Sequence, residues 1–473
     1  MKSNTIAIKD EKRSIRFSEL THFINGTAKY FLDNGIKRKE RVPLLSNNSI
    51  EYVLTIFALW RINAIPVPIN TRLKDDEILS ILKSIKRARI IKSLEFEKVK
   101  LEIPVIEMKV VFSRDALDYQ NSANPNDTAV IIHTSGSSGK PKGVETTNNN
   151  LYQSYLSETS KFNYSNNDRF LASLPFYHIG GFAIINRALL SGGTLVLPKS
   201  LKQDDIVESM QKDNPTIISF VPTMLKRLIE TDISPNENLR HLFLGGGPSD
   251  GNLIHSALKN NWPIVKVYGS SETTAMVTAC SGKELETYPA SAGKPLENVE
   301  LKILDESNNS TDKNVVGEIA IKSPTIAKGY LNDKSTWNNR INEGFYLTGD
   351  YGYLDDESKL FVVARRTDLI VSGGENIDPR EIEMMINRHS KVYESFVFPF
   401  KDVEWGQVPI AIIVLNKNTD LDKDEILNYL KPKIASFKIP KRILLVDEIP
   451  KSELGKVNIE AVIILFKNYR NTD

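Results

Sequence analysis

The sequence is nearly free of cysteine, because Cys280 is the only one among 473 residues. A single thiol excludes an internal disulfide framework and fits a reducing compartment. We expect Cys280 to be a small buried hydrophobic side chain. The sequence also has no Cys/His cluster with the spacing of a zinc site, so we expect no tightly held metal.

An excess of charge of one sign and a long hydrophobic run are also missing. The formal net charge is +2 at pH 7, which gives no long-range field of the kind that attracts nucleic acid or a membrane surface. The most apolar stretch, Val53 to Trp60, is too short to cross a bilayer, and MKSNTIAIKDEKRS lacks the core of a signal peptide. We therefore expect a soluble, cytoplasmic protein without nucleic-acid or membrane partners.

What the sequence does have, from Arg41 onward, is an alternation of short apolar runs with helical periodicity. Strand-like TLVLP, TIISFV and HLFLG are followed by segments with helical spacing, and this pattern predicts βαβ units with mostly parallel sheets. After about residue 295, runs such as GEIAIKS and KLFVVARR predict a small β-rich subdomain. The predicted fold class is α/β, with a large N-terminal domain that includes this subdomain.

A smaller α+β unit follows. The segment Asp378-Pro379-Arg380-Glu381 has the pattern of a capping box with proline at the first helical position, which predicts a helix through Arg388. We therefore predict a domain boundary near residue 366, with one domain over 1–366 and a second over 367–473.

The segment HTSGSSGKPKGV, from His133 to Val144, concentrates small hydroxyls and glycines in one turn after the apolar run AVII. Its backbone amides and hydroxyls predict a mobile flap that binds phosphate. It is not a Walker loop, because Thr134 stands where the first glycine belongs and Pro141 replaces the Ser or Thr. Taken alone, the stretch also fits a plain Ser/Gly surface turn.

Four further segments follow strand-like runs or close short turns. Tyr268-Gly269-Ser270-Ser271-Glu272-Thr273 puts a ring, hydroxyls and a carboxylate at a strand end, where open α/β sheets bind ligands. Tyr346-Leu347-Thr348-Gly349-Asp350 offers a carboxylate suited to a ribose diol. Arg365 precedes the turn Ser372-Gly373-Gly374, and Lys456 ends the turn that begins at Pro450.

Together, these motifs resemble the adenylate-forming superfamily of acyl- and aryl-CoA ligases, luciferases and peptide-synthetase adenylation domains, over about Arg16 to residue 460. The resemblance implies a two-step reaction. A carboxylate attacks the α-phosphate of ATP to give an acyl-adenylate and pyrophosphate, and a thiol then attacks the adenylate. It therefore implies a small carboxylic acid, ATP, Mg²⁺ and coenzyme A as ligands, and it leaves a homo-oligomer open.

The same resemblance implies which residues bind the nucleotide. The residues expected to bind ATP are Thr134, Ser135, Gly136, Ser137, Ser138, Gly139, Lys140, Gly245, Gly246, Gly247, Tyr268, Ser271, Asp350 and Arg365. Glu272 and Thr134 are expected to bind magnesium.

The C-terminal domain is implied to be a mobile lid. Lys456 is expected to be catalytic, because it bridges the attacking carboxylate and the α-phosphate before the domain rotates. Rotation would then bring Ser372, Gly373 and Gly374 to the coenzyme A tunnel. The hinge position usually holds Asp or Lys in the family and is Thr367 here, which leaves the balance between the two conformations open.

The acid pocket is expected around His178, in the segment LPFYHIGG, which matches the family segment that separates the acyl pocket from the thiol tunnel. We expect His178 to be catalytic and to contact substrate together with Gly269 and Ser270, although a structural histidine is the alternative. The spacing from His178 to Arg187, and the segment WGQVP, resemble o-succinylbenzoate–CoA ligases of menaquinone biosynthesis.

Arg187 has two interpretations. At the pocket wall it would pair with the second carboxylate of o-succinylbenzoate. Alternatively, it is a helix arginine bonded to a neighbouring acid. Three other functions also stay open for the chain: another aryl- or fatty-acyl-CoA ligase, an adenylation protein that loads a carrier-protein thiol, or a catalytically inactive nucleotide-binding homologue.

Overall fold

The computed structural model describes most of the chain. The described residues are 4–73, 75–85, 89–97, 103–115, 117, 124–134, 142–247, 249, 251–365, 370–372, 375–377, 379–402, 405–434, 436–452 and 457–469. The chain divides into two compact units. The first comprises Met1–Leu301 and Ile321–Tyr346, and the second comprises Lys302–Ala320 and Leu347–Asp473.

The strands are short and numerous. In chain order they are β1 (Ile6–Lys9), β2 (Ser14–Arg16), β3 (Arg41–Leu45), β4 (Ile65–Pro68), β5 (Ile90–Lys92), β6 (Val105–Glu107), β7 (Thr128–Thr134), β8 (Lys142–Thr147), β9 (Arg169–Leu171), β10 (Thr194–Val196), β11 (Ile217–Phe220), β12 (His241–Leu244), β13 (Ile264–Ser270), β14 (Ala275–Ser281), β15 (Lys294–Pro295), β16 (Glu300–Leu304), β17 (Gly317–Lys322), β18 (Gly329–Tyr330), β19 (Ile341–Asn342), β20 (Phe345–Leu354), β21 (Leu360–Arg365), β22 (Ile370–Ser372), β23 (Glu375–Ile377), β24 (Val392–Asp402), β25 (Gly406–Leu415) and β26 (Arg442–Leu445).

Helices separate many of these strands, as the alternation in the sequence predicts. They are α1 (Phe17–Asp33), α2 (Ile50–Arg61), α3 (Asp75–Ser84), α4 (Asn148–Phe162), α5 (Ile179–Ser191), α6 (Gln203–Asp213), α7 (Pro222–Glu230), α8 (Gly251–Lys259), α9 (Gly282–Thr287), α10 (Lys334–Asn338), α11 (Pro379–Asn387), α12 (Lys423–Leu430) and α13 (Ile459–Tyr469). Among the described residues, no helix is both long and apolar enough to cross a membrane.

Local signals fix where the first unit's helices begin and end. The Ser49 side chain accepts a hydrogen bond from the amide of Tyr52 and begins α2. Thr147 and Asn150 form a capping box at the start of α4, with each side chain bonded to the other's backbone amide. At its far end, α5 stops at Gly192, whose φ of 72° favours glycine.

The first unit is built around a nine-stranded sheet in the order β15-β14-β13-β12-β11-β9-β10-β1-β2. The central strands from β13 to β1 are parallel, and the edge pairs are antiparallel. Successive residues of β11, such as Ile217 and Ile218, pack into two different hydrophobic clusters. Both faces of the sheet are therefore covered, as is typical of parallel sheets between helices.

Two smaller sheets complete the first unit. Strands β4-β3-β5-β6 form a parallel sheet, and β18-β8-β7 form an antiparallel sheet. The second of these contains the two strands that flank the predicted phosphate loop, so it positions the candidate site.

The second unit contains two sheets. In one, β16, β17 and β20 follow in that order and β21 also pairs with β20; the other has the order β23-β22-β25-β24, with β26 parallel to β25. Helix α11 contacts β21, and the Arg380 side chain donates to the carbonyl of Val363 at 3.4 Å. Because of such contacts, most of the predicted β-rich subdomain lies in the same compact unit as the C-terminal segment. The boundary near residue 366 stays a prediction, since residues 366–369 lie outside the described residues.

Candidate functional site

The β7–β8 hairpin presents the predicted phosphate loop. Thr134, the last residue of β7, lies opposite Lys142, the first residue of β8, and His133 lies opposite Gly143. Both flanks of the loop are thus fixed in an antiparallel ladder. Ser135, Gly136, Ser137, Ser138, Gly139 and Lys140 lie outside the described residues, so their role stays a prediction.

Glu272 lies in the turn between β13 and β14, at the carboxyl end of a central strand, as the sequence predicts. The Thr273 hydroxyl accepts a hydrogen bond from the Ser270 amide at 2.8 Å and donates to the carbonyl of Ala275 at 2.8 Å. Gly269 approaches this turn so closely that an added Cβ would lie 1.8 Å from the Ala275 carbonyl oxygen. Only glycine fits there, and the resulting tight turn holds Ser271 and Glu272 at its tip.

Tyr330 connects this turn to the phosphate-loop hairpin. Its hydroxyl donates a hydrogen bond of 2.8 Å to Oε1 of Glu272, and the hydroxyl of Tyr346 lies 3.4 Å from the hydroxyl of Tyr330. On the hairpin side, the Lys142 ammonium lies 5.1 Å from the centre of the Tyr330 ring. A cation at that distance is attracted to the face of the ring.

The electrostatics of this cluster keep both phenols protonated. Burial first, and then the negative charge of Glu272, raise the pKa of Tyr330 above its ordinary value. Burial raises the pKa of Tyr346 in the same direction, with Glu272 adding to the effect. Both hydroxyls are protonated at neutral pH, and Oε1 of Glu272 accepts a hydrogen bond from the Tyr330 hydroxyl. Among the described residues, no donor contacts Oε2 of Glu272.

The donor chemistry of this cluster fits a magnesium ion. Mg²⁺ prefers oxygen ligands, keeps several of its waters and leans on substrate phosphates, so a single protein carboxylate is enough. Glu272 offers such a carboxylate, and Thr134 offers a hydroxyl at the hairpin. Within the described part of the chain, no group of three or more His, Cys, Asp or Glu side chains is placed to hold a metal by itself.

The glycine segment Gly245-Gly246-Gly247 follows β12, the strand beside β13. The Gly245 amide donates to the carbonyl of Phe220 at 3.2 Å, and an added Cβ on Gly245 would lie 2.7 Å from Val267. The sheet thus brings these glycines and Tyr268 to neighbouring strand ends. Since the two strands are parallel, the backbone of one and the ring of the other are available at the same sheet edge.

His178 lies at the start of α5, half-buried, with its ring centroid 4.7 Å from that of Tyr177. Its amide donates to the carbonyl of Pro175 at 3.1 Å, and its carbonyl accepts from the amide of Phe182 at 2.9 Å. An added Cβ on Gly181 would lie 2.0 Å from the Pro175 carbonyl oxygen. This close turn fixes the backbone at His178.

Arg187 lies in α5 and is buried against Glu158 of α4. Its Nε is 2.5 Å from Oε2 of Glu158, and its Nη2 is 3.1 Å from Oε1. Burial alone would lower the pKa of Arg187, but the adjacent carboxylate outweighs burial and the net direction is upward. The hydroxyls of Ser154 and Tyr164 also contact this carboxylate, each at 3.2 Å. This geometry corresponds to the second interpretation of Arg187, a helix arginine bonded to a neighbouring acid.

The second unit contains the remaining predicted residues. Asp350 is buried in β20, directly opposite the backbone of Arg365 in β21, and Ser372 is buried at the end of β22. The register therefore makes Asp350 and Arg365 cross-strand neighbours. The Arg365 side chain, Gly373, Gly374 and Lys456 lie outside what the structure describes, as does the hinge residue Thr367.

Reasoning from the sequence missed Tyr330, and it named Tyr346 only as the start of the segment that ends at Asp350. Tyr330 lies in a two-residue strand, and its partner Glu272 is 58 positions away, so no local spacing connects them. The only local signal is the Gly329-Tyr330 pair after the strand-like GEIAIKS, and nothing in that pair indicates a contact with Glu272.

The fold and the site together define a nucleotide-binding α/β enzyme. The family model described as AMP-binding enzyme matches residues 1–331, and the AMP-binding enzyme C-terminal domain matches residues 381–456. The chain therefore belongs to the AMP-binding enzyme family.

Individual relatives and solved structures support the same family. A 2-succinylbenzoate–CoA ligase from Bacillus cereus is 32% identical over 456 residues, which covers 95% of this chain and 94% of the relative. The structure of o-succinylbenzoate CoA synthetase from Bacillus subtilis with the acyl-adenylate intermediate OSB-AMP has a TM-score of 0.90 at 31% identity, and covers 98% of this chain and 96% of that one. The same enzyme with ATP and a magnesium ion has a TM-score of 0.89 at 31% identity, over 97% and 96% of the two chains.

These comparisons confirm the predicted superfamily, the α/β fold class and the enzyme class, an AMP-forming acid–CoA ligase.

Proposed function

We propose that this chain joins 2-succinylbenzoate to coenzyme A in an ATP-dependent, AMP-forming reaction. The observation that carries the proposal is the contact of Tyr330 with Glu272, which places a carboxylate suited to Mg²⁺ beside the phosphate-loop hairpin. The names of relatives that cover almost the whole chain support the choice of acid. The resemblance assigns this reaction to menaquinone biosynthesis.

The first half-reaction brings two anions together, so the site must supply oriented donors and positive charge. Backbone amides and hydroxyls from Thr134 to Lys140 hold the β- and γ-phosphates, and Glu272 with Thr134 holds the magnesium that enters with ATP. Magnesium there offsets the phosphate charge. Lys456 stabilises the α-phosphate while a carboxylate oxygen of the acid bonds to phosphorus and pyrophosphate leaves.

The nucleoside and the thiol use other residues. Gly245, Gly246, Gly247 and Tyr268 flank the adenine, with Ser271 beside them, and the cross-strand neighbours Asp350 and Arg365 bind the ribose hydroxyls. In the second half-reaction the thiol sulfur bonds to the acyl carbon and AMP leaves. Ser372, Gly373 and Gly374 line the path of the pantetheine.

The acid pocket includes His178, Gly269 and Ser270. His178 is fixed at the start of α5, where it can separate the acyl pocket from the thiol path. The near-neutral charge and single cysteine support a cytoplasmic enzyme that acts on small molecules, without nucleic acid or a membrane.

The test is a panel of carboxylic acids supplied to the full chain with ATP, MgCl₂ and coenzyme A, read by mass spectrometry of the thioester. We expect a thioester from o-succinylbenzoate and far less from benzoate, fatty acids and an analogue without the ring carboxylate. A preference for one of the other acids would identify another acyl- or aryl-CoA ligase. Adenylate that reacts with a carrier-protein thiol and not with coenzyme A would identify an adenylation protein. ATP–pyrophosphate exchange with none of the acids would identify an inactive homologue.

A further inference from the structure

The contact between Tyr330 and Glu272 has a geometry that a metal-binding carboxylate needs. Mg²⁺ demands near-ideal octahedral coordination, so the direction of each ligand oxygen matters. The Tyr330 hydroxyl holds Oε1 of Glu272 at 2.8 Å, and no donor among the described residues contacts Oε2. Within the described part of the chain, one carboxylate oxygen is therefore held by a donor and the other is not.

Tyr330 is itself rigidly placed. In β18 it pairs with Val144 of β8, so its backbone is part of the sheet that contains the phosphate-loop strands. Its ring packs edge-on against Trp337 at 5.1 Å, and the Tyr346 ring stacks on Trp337 at 5.2 Å. Tyr330, Tyr346 and Trp337 are all buried. A hydroxyl on such a fixed ring can set the direction of a carboxylate at the tip of a turn.

The segment around Tyr330 also fastens the Glu272 turn through the backbone. The amide of Ala327 donates to the carbonyl of Glu272 at 2.8 Å, and the Thr274 hydroxyl donates to the carbonyl of Thr325 at 2.7 Å. A single stretch of chain thus holds the backbone of the turn and the side chain of Glu272. The Lys142 ammonium over the Tyr330 ring adds the end of the phosphate loop to the same unit.

We propose that Tyr330 is a positioning residue, whose hydroxyl orients Glu272 for the magnesium ion of Mg-ATP and couples that orientation to the phosphate-loop hairpin. The inference rests on the proposed function, since it takes Glu272 as the magnesium ligand. Tyr346 acts one step further away, by holding the Tyr330 hydroxyl.

The test compares ATP binding by the full chain in MgCl₂ and in EDTA, by isothermal titration calorimetry without any acid, so that no reaction occurs. The dissociation constant in EDTA divided by that in MgCl₂ measures how strongly magnesium assists ATP binding. Tyr330→Phe keeps the ring and removes the hydroxyl. We expect it to lower this ratio about tenfold, as is typical when a partner of a metal ligand is removed. Binding in EDTA should change far less than binding in MgCl₂, and the melting temperature should fall only slightly, because the hydroxyl removed takes part in few hydrogen bonds.

Tyr30→Phe is the matched control, because among the described residues the Tyr30 hydroxyl donates only to the backbone carbonyl of Glu107, at 3.3 Å. It should leave the ratio at the wild-type value. Tyr346→Phe should lower the ratio less than Tyr330→Phe does, since its hydroxyl contact is longer. A Tyr330→Phe protein that keeps the wild-type ratio, or that loses affinity equally in MgCl₂ and EDTA, would overturn the inference.

The Glu272→Gln variant tests separately whether Glu272 is the magnesium ligand, which the positioning role of Tyr330 assumes. If Glu272→Gln abolishes the magnesium effect and Tyr330→Phe does not, only the positioning role fails. If wild type shows no magnesium effect, or Glu272→Gln retains it, the metal role of Glu272 fails and the inference falls with it. Thioester formation in the panel of acids is measured separately, so the proposed ligase activity is judged on its own result.

Discussion

Arg187 and Glu158 form a buried ion pair between α5 and α4, with two nitrogen–oxygen contacts of 2.5 and 3.1 Å. The guanidinium carbon Cζ of Arg187 also lies 5.2 Å from the centre of the Phe243 ring. Both side chains are almost fully excluded from solvent. The two charges compensate each other where water is absent, so removing one side chain would leave the other buried, charged and unpaired.

We therefore predict that Arg187→Ala lowers the stability of the protein by about 3–5 kcal/mol, because it leaves Glu158 charged, buried and unpaired. The melting temperature should fall, and kcat/KM should fall by the same factor for o-succinylbenzoate and for the analogue without the ring carboxylate. Differential scanning calorimetry and steady-state kinetics measure the two effects. The double variant Arg187→Met with Glu158→Leu should recover part of the melting temperature. An unchanged melting temperature with a loss confined to o-succinylbenzoate would instead show that Arg187 binds the substrate.

Lys456→Ala is expected to separate the two half-reactions. We predict a loss of about a hundredfold or more in adenylate formation, because the lysine charge acts where negative charge concentrates at the α-phosphate. Thioester formation from pre-made acyl-adenylate should be largely retained. ATP–pyrophosphate exchange reads the first step, and mass spectrometry of the thioester reads the second. Equal losses in both steps would indicate a damaged C-terminal domain instead.

Magnesium should be required in solution without being retained through purification. The described residues contain no cluster that could hold a metal unaided, and Mg²⁺ commonly relies on substrate phosphates. We predict that EDTA abolishes ATP–pyrophosphate exchange, that added MgCl₂ restores it, and that elemental analysis finds no stoichiometric zinc. Zinc that copurifies in equal amount, and whose removal abolishes activity, would contradict this prediction.

His133 makes stability depend on acid pH. Burial lowers its pKa to about 4, and neither ring nitrogen has a hydrogen-bond partner among the described residues. The folded protein therefore keeps the ring neutral, while the unfolded chain binds a proton below about pH 6.5. The stabilising contribution is complete above that pH and is lost as the pH falls from about 6.5 to 4, by up to about 3 kcal/mol.

The measurement is the melting temperature at about pH 7 and about pH 4.5, for wild type and for His133→Phe. Phenylalanine keeps a planar ring and cannot be protonated, so the variant should lose less stability on acidification. Parallel losses in the two proteins would assign the acid sensitivity to other groups. Because His133 immediately precedes Thr134, the variant should also be checked for ATP binding.

The sequence was sufficient to predict the fold class and the order of the site motifs along the chain. Alternating apolar runs and helical segments predicted parallel sheets, and strands such as β11 and β12 lie where those runs stand. The turn that holds Glu272 was also predictable, since it follows directly from a strand end. These features are local, because they depend on spacing over a few residues and on the backbone preferences of glycine and proline.

Tertiary structure alone decided which partners the charged and polar side chains have. Arg187 and Glu158 are 29 positions apart, and Tyr330 and Glu272 are 58 apart, so their contacts arise only when helices pack and strands pair. Sequence reasoning left two interpretations of Arg187 and missed Tyr330. A local pattern predicts that a side chain is polar and which element contains it. Burial and distance then determine whether its charge binds a ligand or a neighbouring residue.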